Sequence, residues 1–149
     1  MLKKLPPEEK VYEAFSAIGD GRVEMHDGFA VVRSSDGSRQ YTVEWDGNKY
    51  TSDDSATFWQ GYPGYPVIAV LMLEGRLPLD EDVCRKMKGV AWKSLNDAHK
   101  RNYRAALEEV LSGLESRGIG TSDIKKLADQ INEQLPLLDI ETGRKRKKK

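Results

Sequence analysis

Cysteine is nearly absent: Cys84 is the single thiol in 149 residues, so no internal disulfide can form and stability must come from a packed core. Histidine is almost as scarce. His26, Cys84 and His99 are too few and too scattered for a zinc-binding spacing, which argues against a structural metal and gives an expectation of none. No long apolar run occurs, and nothing reads as a membrane span. After Lys3 and Lys4 comes Leu5-Pro6-Pro7 rather than an apolar stretch, so no secretory signal is expected. With the lone thiol, this places the chain in the cytoplasm as an expectation. Neither a Gly-x-x-x-x-Gly-Lys-Ser/Thr run nor a Gly-x-Gly-x-x-Gly after a buried strand is present, which removes the usual phosphate cradles, and no cofactor is expected.

What the chain has in quantity is charge, 24 Lys and Arg against 24 Asp and Glu. The formal zero hides an asymmetry. Arg144, Lys145, Arg146, Lys147, Lys148 and Lys149 hold six of the positive charges, and the remaining body has 18 basic against 24 acidic residues, a net of −6. Such a body does not bind phosphate backbones over its whole surface. One local exception stands out, where Arg85, Lys86, Lys88, Lys93, Lys100, Arg101 and Arg104 face only Asp97, with Trp92 and Tyr103 interleaved. This patch and the tail are the candidate nucleic-acid contacts. A solvated helical face is the plainer reading of the patch.

Periodicity gives the elements. Pro6 and Pro7 precede an apolar set Val11, Ala14, Phe15 and Ile18, an amphipathic helix stopped near Gly19. Asp27-Gly28, Asp36-Gly37 and Asp46-Gly47 then punctuate a four-stranded antiparallel meander with strands at about 22–26, 29–34, 39–45 and 49–52. An aromatic loop from Phe58 to Pro66 leads into the apolar helix Val67–Leu73, expected across the inner face of the sheet. Beyond Pro78, helices are expected from Asp80 to about Lys88, from about Asp97 to Arg117, and from Thr121 or Ser122 to Pro136. The last two have helix-turn-helix proportions. Lys125 and Lys126 stand against Asp123, Asp129 and Glu133 on the final helix, so a plain helical hairpin is the expectation.

Single residues offer little chemistry. Arg85 and Lys86 follow Cys84, but Val83 and Met87 beside it make a half-buried structural thiol the better reading. His99 extends the stripe of Tyr103 and Leu107 as a core-edge residue, and Asp53-Asp54 reads as turn chemistry.

The stretch 40–77 resembles the SWIM-type zinc-finger family on Tyr41-Thr42-Val43 before a turn, Phe58 and Trp59 in a loop, Gly61 to Pro66, and Ile68-Ala69-Val70-Leu71 as a helix. Tyr50 and Ser52 stand where that family has Cys-x-Cys, and Tyr65 and Val67 where it has Cys-x-His. The resemblance therefore implies a metal-free relative in which Tyr50, Phe58, Trp59 and Tyr65 pack in place of the metal. On that basis, deleting the Trp59 ring should cost about 3–5 kcal/mol. The family's usual role, binding DNA or proteins, is what the resemblance implies for function.

The fold expected is α+β: residues 1–77 a helix, meander and covering helix, 78–140 a helical region packed on them, and 141–149 a disordered basic tail. The function expected is a non-enzymatic binding module whose partner is nucleic acid, with Arg85, Lys86, Lys88, Lys93, Lys100, Arg101, Arg104, Arg144, Lys145 and Arg146 as contacts. The alternative is a protein-interaction or assembly role through an exposed aromatic loop.

Overall fold

The computed structural model describes residues 1–145, and the fold is α+β. Helix α1 (Lys10–Gly19) leads into strands β1 (Val23–Met25), β2 (Phe29–Arg33), β3 (Gln40–Asp46) and β4 (Lys49–Ser52). These form the expected antiparallel meander, with Ala30 opposite Val43 and Trp45 opposite Tyr50. Gly28 and Gly47 take φ of 82° and 59°, which the hairpin turns need and other residues resist. Ala30, Val32, Val43 and Tyr50 bury one face.

Helix α2 (Tyr65–Leu73) is apolar all round because it is covered all round: one side meets β1, β3 and β4, and the other meets α1. Helix α3 (Glu81–Lys86) starts where Asp80 accepts the backbone N–H groups of Asp82 and Val83. It packs against α1 at the point where Gly19 has no side chain; a Cβ there would sit 2.0 Å from the carbonyl oxygen of Cys84. The hydrophobic core is one cluster running from Val11 to Ile140, so the meander and the helical region share an interior.

Two expectations are corrected. The long helix over 97–117 is two helices, α4 (Trp92–Ala98) and α5 (Tyr103–Ser116), because Lys100 and Arg101 turn the chain with φ of 53° and 66°. Asn102 then caps α5 through the N–H of Ala105. The last helix, α6 (Ser122–Gln134), follows as expected and ends in a 3-10 turn at Leu135–Leu137.

The second correction concerns the tail, expected to be disordered from residue 141. Glu141–Arg144 is instead strand β5, parallel to β4 on its outer edge, with Glu141 N–H bonded to Asn48 O and Lys145 N–H to Ser52 O. Buried Ile140 anchors the approach, and an unfilled sheet edge outweighs the repulsion of a charge run. The sheet thus has five strands in the order β1-β2-β3-β4-β5. Arg146 and Lys147–Lys149 lie outside the described residues. Among the described residues no helix is long and apolar enough to cross a membrane.

Candidate functional site

A half-open cleft of about 520 Å³ lies between the polar stripe of α1, the β2–β3 turn, the segment after β4, and α4 with the turn beyond it. Its floor includes Lys10 and Glu13 of α1, and Ser16, three residues further on, continues their polar row behind it. All three are buried, because α3 and α4 close over that side.

Each of the three finds partners. Lys10 Nζ lies 3.1 Å from Glu13 Oε2 and 4.0 Å from the Tyr103 ring centre, a buried ion pair backed by an aromatic face. Burial works against the Lys10 ammonium, but Glu13 beside it, with Tyr103 and Tyr62, outweighs that and holds its pKa above the ordinary lysine value. Burial pushes the Glu13 carboxyl up against the pull of Lys10. Asn96 of α4 donates to Glu13 Oε1 at 3.4 Å, and its own Oδ1 is buried without a partner. Ser16 Oγ accepts the indole N–H of Trp92 at 2.8 Å and donates to Met87 O at 2.6 Å, so one hydroxyl ties α4 and the end of α3 to α1. Lys93 N–H bonds Ser35 Oγ at 3.0 Å and fixes α4 to the β2–β3 turn.

The opposite wall is a π-helical turn, Ala56–Gln60, a geometry found disproportionately at functional sites. Asp54 holds it: one carboxylate oxygen accepts from Ser52 Oγ, and the other accepts Thr57 N–H at 3.1 Å. Burial raises the Asp54 pKa despite these bonds. Gly64 passes so close that a Cβ would stand 2.1 Å from Asp54 Oδ2, and Gly64 N–H donates to Thr57 Oγ1. This packed pedestal carries Trp59 outward, where it is 71% exposed. The expectation of a four-ring core is therefore corrected. Tyr50 is buried on the sheet with its hydroxyl donating to Glu74, Tyr65 is a half-buried wall of the cleft, and Phe58 and Trp59 pair edge-on with each other.

The basic residues singled out from the sequence divide into groups. Lys93 and Arg101 line the cleft, where Arg39, unmarked by the sequence reading, joins them. Lys93 is 3.7 Å from Asp97, and Arg104 is 4.0 Å from Glu8. Arg85 and Lys86 sit away from the cleft, held by Asp82 at 2.6 Å and Asp123 at 2.7 Å. Lys88 and Lys100 are exposed and outside the cleft lining. Arg39, Lys88, Lys100 and Arg101 have no acidic partner among the described residues, and of these Arg39 and Arg101 face the cleft. Strand β5 carries Arg144 to the Phe58 ring, 5.2 Å from its centre, and Phe58 in turn lies edge-on to Trp59. Lys145 turns to Glu44 at 3.0 Å.

Two further residues noted in the sequence are accounted for. Cys84 is buried, and burial pushes its thiol up to about 12, so it is no nucleophile at neutral pH. His99 is half-buried with Nε2 3.2 Å from Glu109 Oε1, on the α4–α5 turn rather than along a continuous stripe. Among the described residues no three His, Cys, Asp or Glu side chains gather as metal ligands. What the cleft offers is a polar floor with its charges internally matched, aromatic walls, and unmatched guanidinium groups at its mouth.

No curated protein and no solved structure matches the chain. A family model, uncharacterised conserved protein UCP014422, matches residues 3–141, a span that contains every residue of the cleft. The chain belongs to that family.

Proposed function

We propose that this protein is a non-enzymatic binding module of the cytoplasm that contacts nucleic acid through the cleft mouth and the basic tail. The observation that carries the reading is that Arg39 and Arg101, without an acidic partner among the described residues, line one cleft with the exposed indole of Trp59, whose neighbour Phe58 has Arg144 over its ring. Cations that follow a backbone, beside aromatic rings that accept a base, are the usual equipment for nucleic acid. The acidic remainder of the surface confines contact to this region. The inward-facing carboxylates are tied to Lys10, Asn96, Ser52 and Thr57, which suits a scaffold better than a reaction.

The test is the anisotropy of labelled oligonucleotides across a salt series, using the full chain. Each neutralised phosphate adds about −0.7 to −0.9 to the slope of log affinity against log salt. Removing residues 146–149 leaves β5 intact and should flatten the slope by about 3, four lost contacts at that rate. Neutralising Lys93 and Arg101 should weaken binding further. If the full chain binds no oligonucleotide even at low salt, the reading is wrong, and a protein partner met through the exposed aromatic loop is the alternative to test.

A further inference from the structure

We infer that the cleft mouth is a site for one unpaired nucleotide, with its phosphate between Arg39 and Arg101 and its base on Trp59. This deepens the nucleic-acid reading and rests on it for the polymer as the source. The chemistry required, a nucleoside phosphate, is also met by a free mononucleotide, which the experiment separates.

Three independent observations converge. The first is uneven charge pairing. Lys10, Arg22 and Lys93 around the cleft each have a carboxylate within 4 Å, whereas Arg39 and Arg101 have none among the described residues. An anion is the missing partner, and the guanidinium fork suits the oxygens of a phosphate. On the floor Lys10 is already taken by Glu13, so the cations without a partner are those at the mouth.

The second is backbone strain. Among the described residues, Lys100 and Arg101 are the only non-glycine positions with positive φ, while eight glycines serve wherever else the chain turns that way. A glycine at 101 would relieve the strain and remove the guanidinium. Strain retained at the rim of a cleft points to a requirement for the side chain.

The third is the pedestal under Trp59. The π-helical turn, the buried Asp54 and the close pass of Gly64 hold the backbone beneath an indole that stands in water, edge-on to Phe58. An exposed ring on a held backbone, lining the same cleft as two guanidinium groups without a carboxylate partner among the described residues, is available for stacking. The cleft volume lies in the range of small-ligand sites, and a paired base inside a duplex cannot reach into it.

The experiment titrates the full chain with adenosine, adenosine 5′-monophosphate, a single-stranded 12-mer and a blunt duplex of the same length. It compares the parent with Arg101→Gly, Arg39→Gln and Trp59→Ala. Arg101→Gly is the informative variant, since relief of strain keeps it at least as stable as the parent by thermal unfolding. The expected result is single strand bound about tenfold more tightly than duplex, with each variant weakening the single strand about tenfold and the duplex by clearly less. Adenosine 5′-monophosphate should bind better than adenosine, and Arg101→Gly should abolish that difference. If oligonucleotides bind but all three variants bind them like the parent, the inference is overturned and the nucleic-acid reading survives. If the monophosphate binds in an Arg101-dependent way while no oligonucleotide binds, the site stands with a free nucleotide as its ligand and the nucleic-acid reading falls. No binding of any of the four ligands overturns both.

Discussion

Replacing Ser16 with alanine removes one oxygen that two buried groups share. Ser16 is fully buried, its Oγ accepting from Trp92 Nε1 at 2.8 Å and donating to Met87 O at 2.6 Å. Alanine leaves the indole N–H and the carbonyl without partners inside the protein. Each such group costs about 1–3 kcal/mol. The better helix propensity of alanine returns roughly half a kcal/mol. The net expectation is a loss of about 2–5 kcal/mol, which a domain of ordinary stability survives in the folded state. Urea unfolding followed by tryptophan fluorescence reads the loss, and the midpoint of thermal unfolding should fall by roughly 10 °C for a mid-range value of 3 kcal/mol. A double-mutant cycle separates the hydrogen bond from general damage. Trp92→Phe removes the donor, so Ser16→Ala in that background should cost at least about 1 kcal/mol less than in the parent. A loss under about 1 kcal/mol for Ser16→Ala, or strict additivity with Trp92→Phe, would refute the role of this hydroxyl as the tie between α1 and α4.

Three further outcomes are expected. Gly19→Ala sets a methyl group 2.0 Å from the carbonyl oxygen of Cys84, so α1 and α3 must separate; the cost should be about 1–3 kcal/mol in chemical denaturation, and an unchanged midpoint would contradict the contact. Cys84, with its thiol raised to about 12, stays protonated as pH climbs through 8 and 9, so iodoacetamide should fail to label the native protein there while labelling it readily in urea; rapid native labelling at pH 8 would count against its burial. Trp59→Ala should change stability by less than about 0.5 kcal/mol, as substitutions at exposed positions do, and a loss of 3 kcal/mol or more would return Trp59 to the core.

Where local chemistry alone decides, the sequence was readable. Asp-Gly turns placed the meander, Asp80 placed the start of α3, and the unbroken run Val67–Leu73 announced a helix covered on all sides. The break between α4 and α5 was not readable, since neither glycine nor proline marks it and the turn is carried by Lys100 and Arg101. Strand β5 escaped because Glu141-Thr142-Gly143-Arg144 has no apolar alternation; it is a strand because β4 offers it an edge. The site was only partly visible. Lys93 and Arg101 came from charge counting, but nothing in the sequence marked Lys10, Glu13 and Ser16, which form a buried polar row only where Met87, Trp92 and Asn96 meet α1. The resemblance to the SWIM-type zinc-finger family implied a packed Trp59, whereas the indole above the π-helical turn is 71% exposed.

The pairing of Lys49 with Glu141 joins positions 92 residues apart and sets an order of events during synthesis. At roughly 5–20 residues per second, β4 emerges about 5–18 s before the strand that covers its outer edge. Through that interval the nascent chain carries an open strand edge, the feature by which chains pair with their neighbours. The last strand also delivers Arg144 to Phe58, so the covering of β4 and the seating of this arginine occur in the same step. A chain in which β5 has yet to dock thus exposes the β4 edge and leaves Phe58 without its cation, and the two conditions end together.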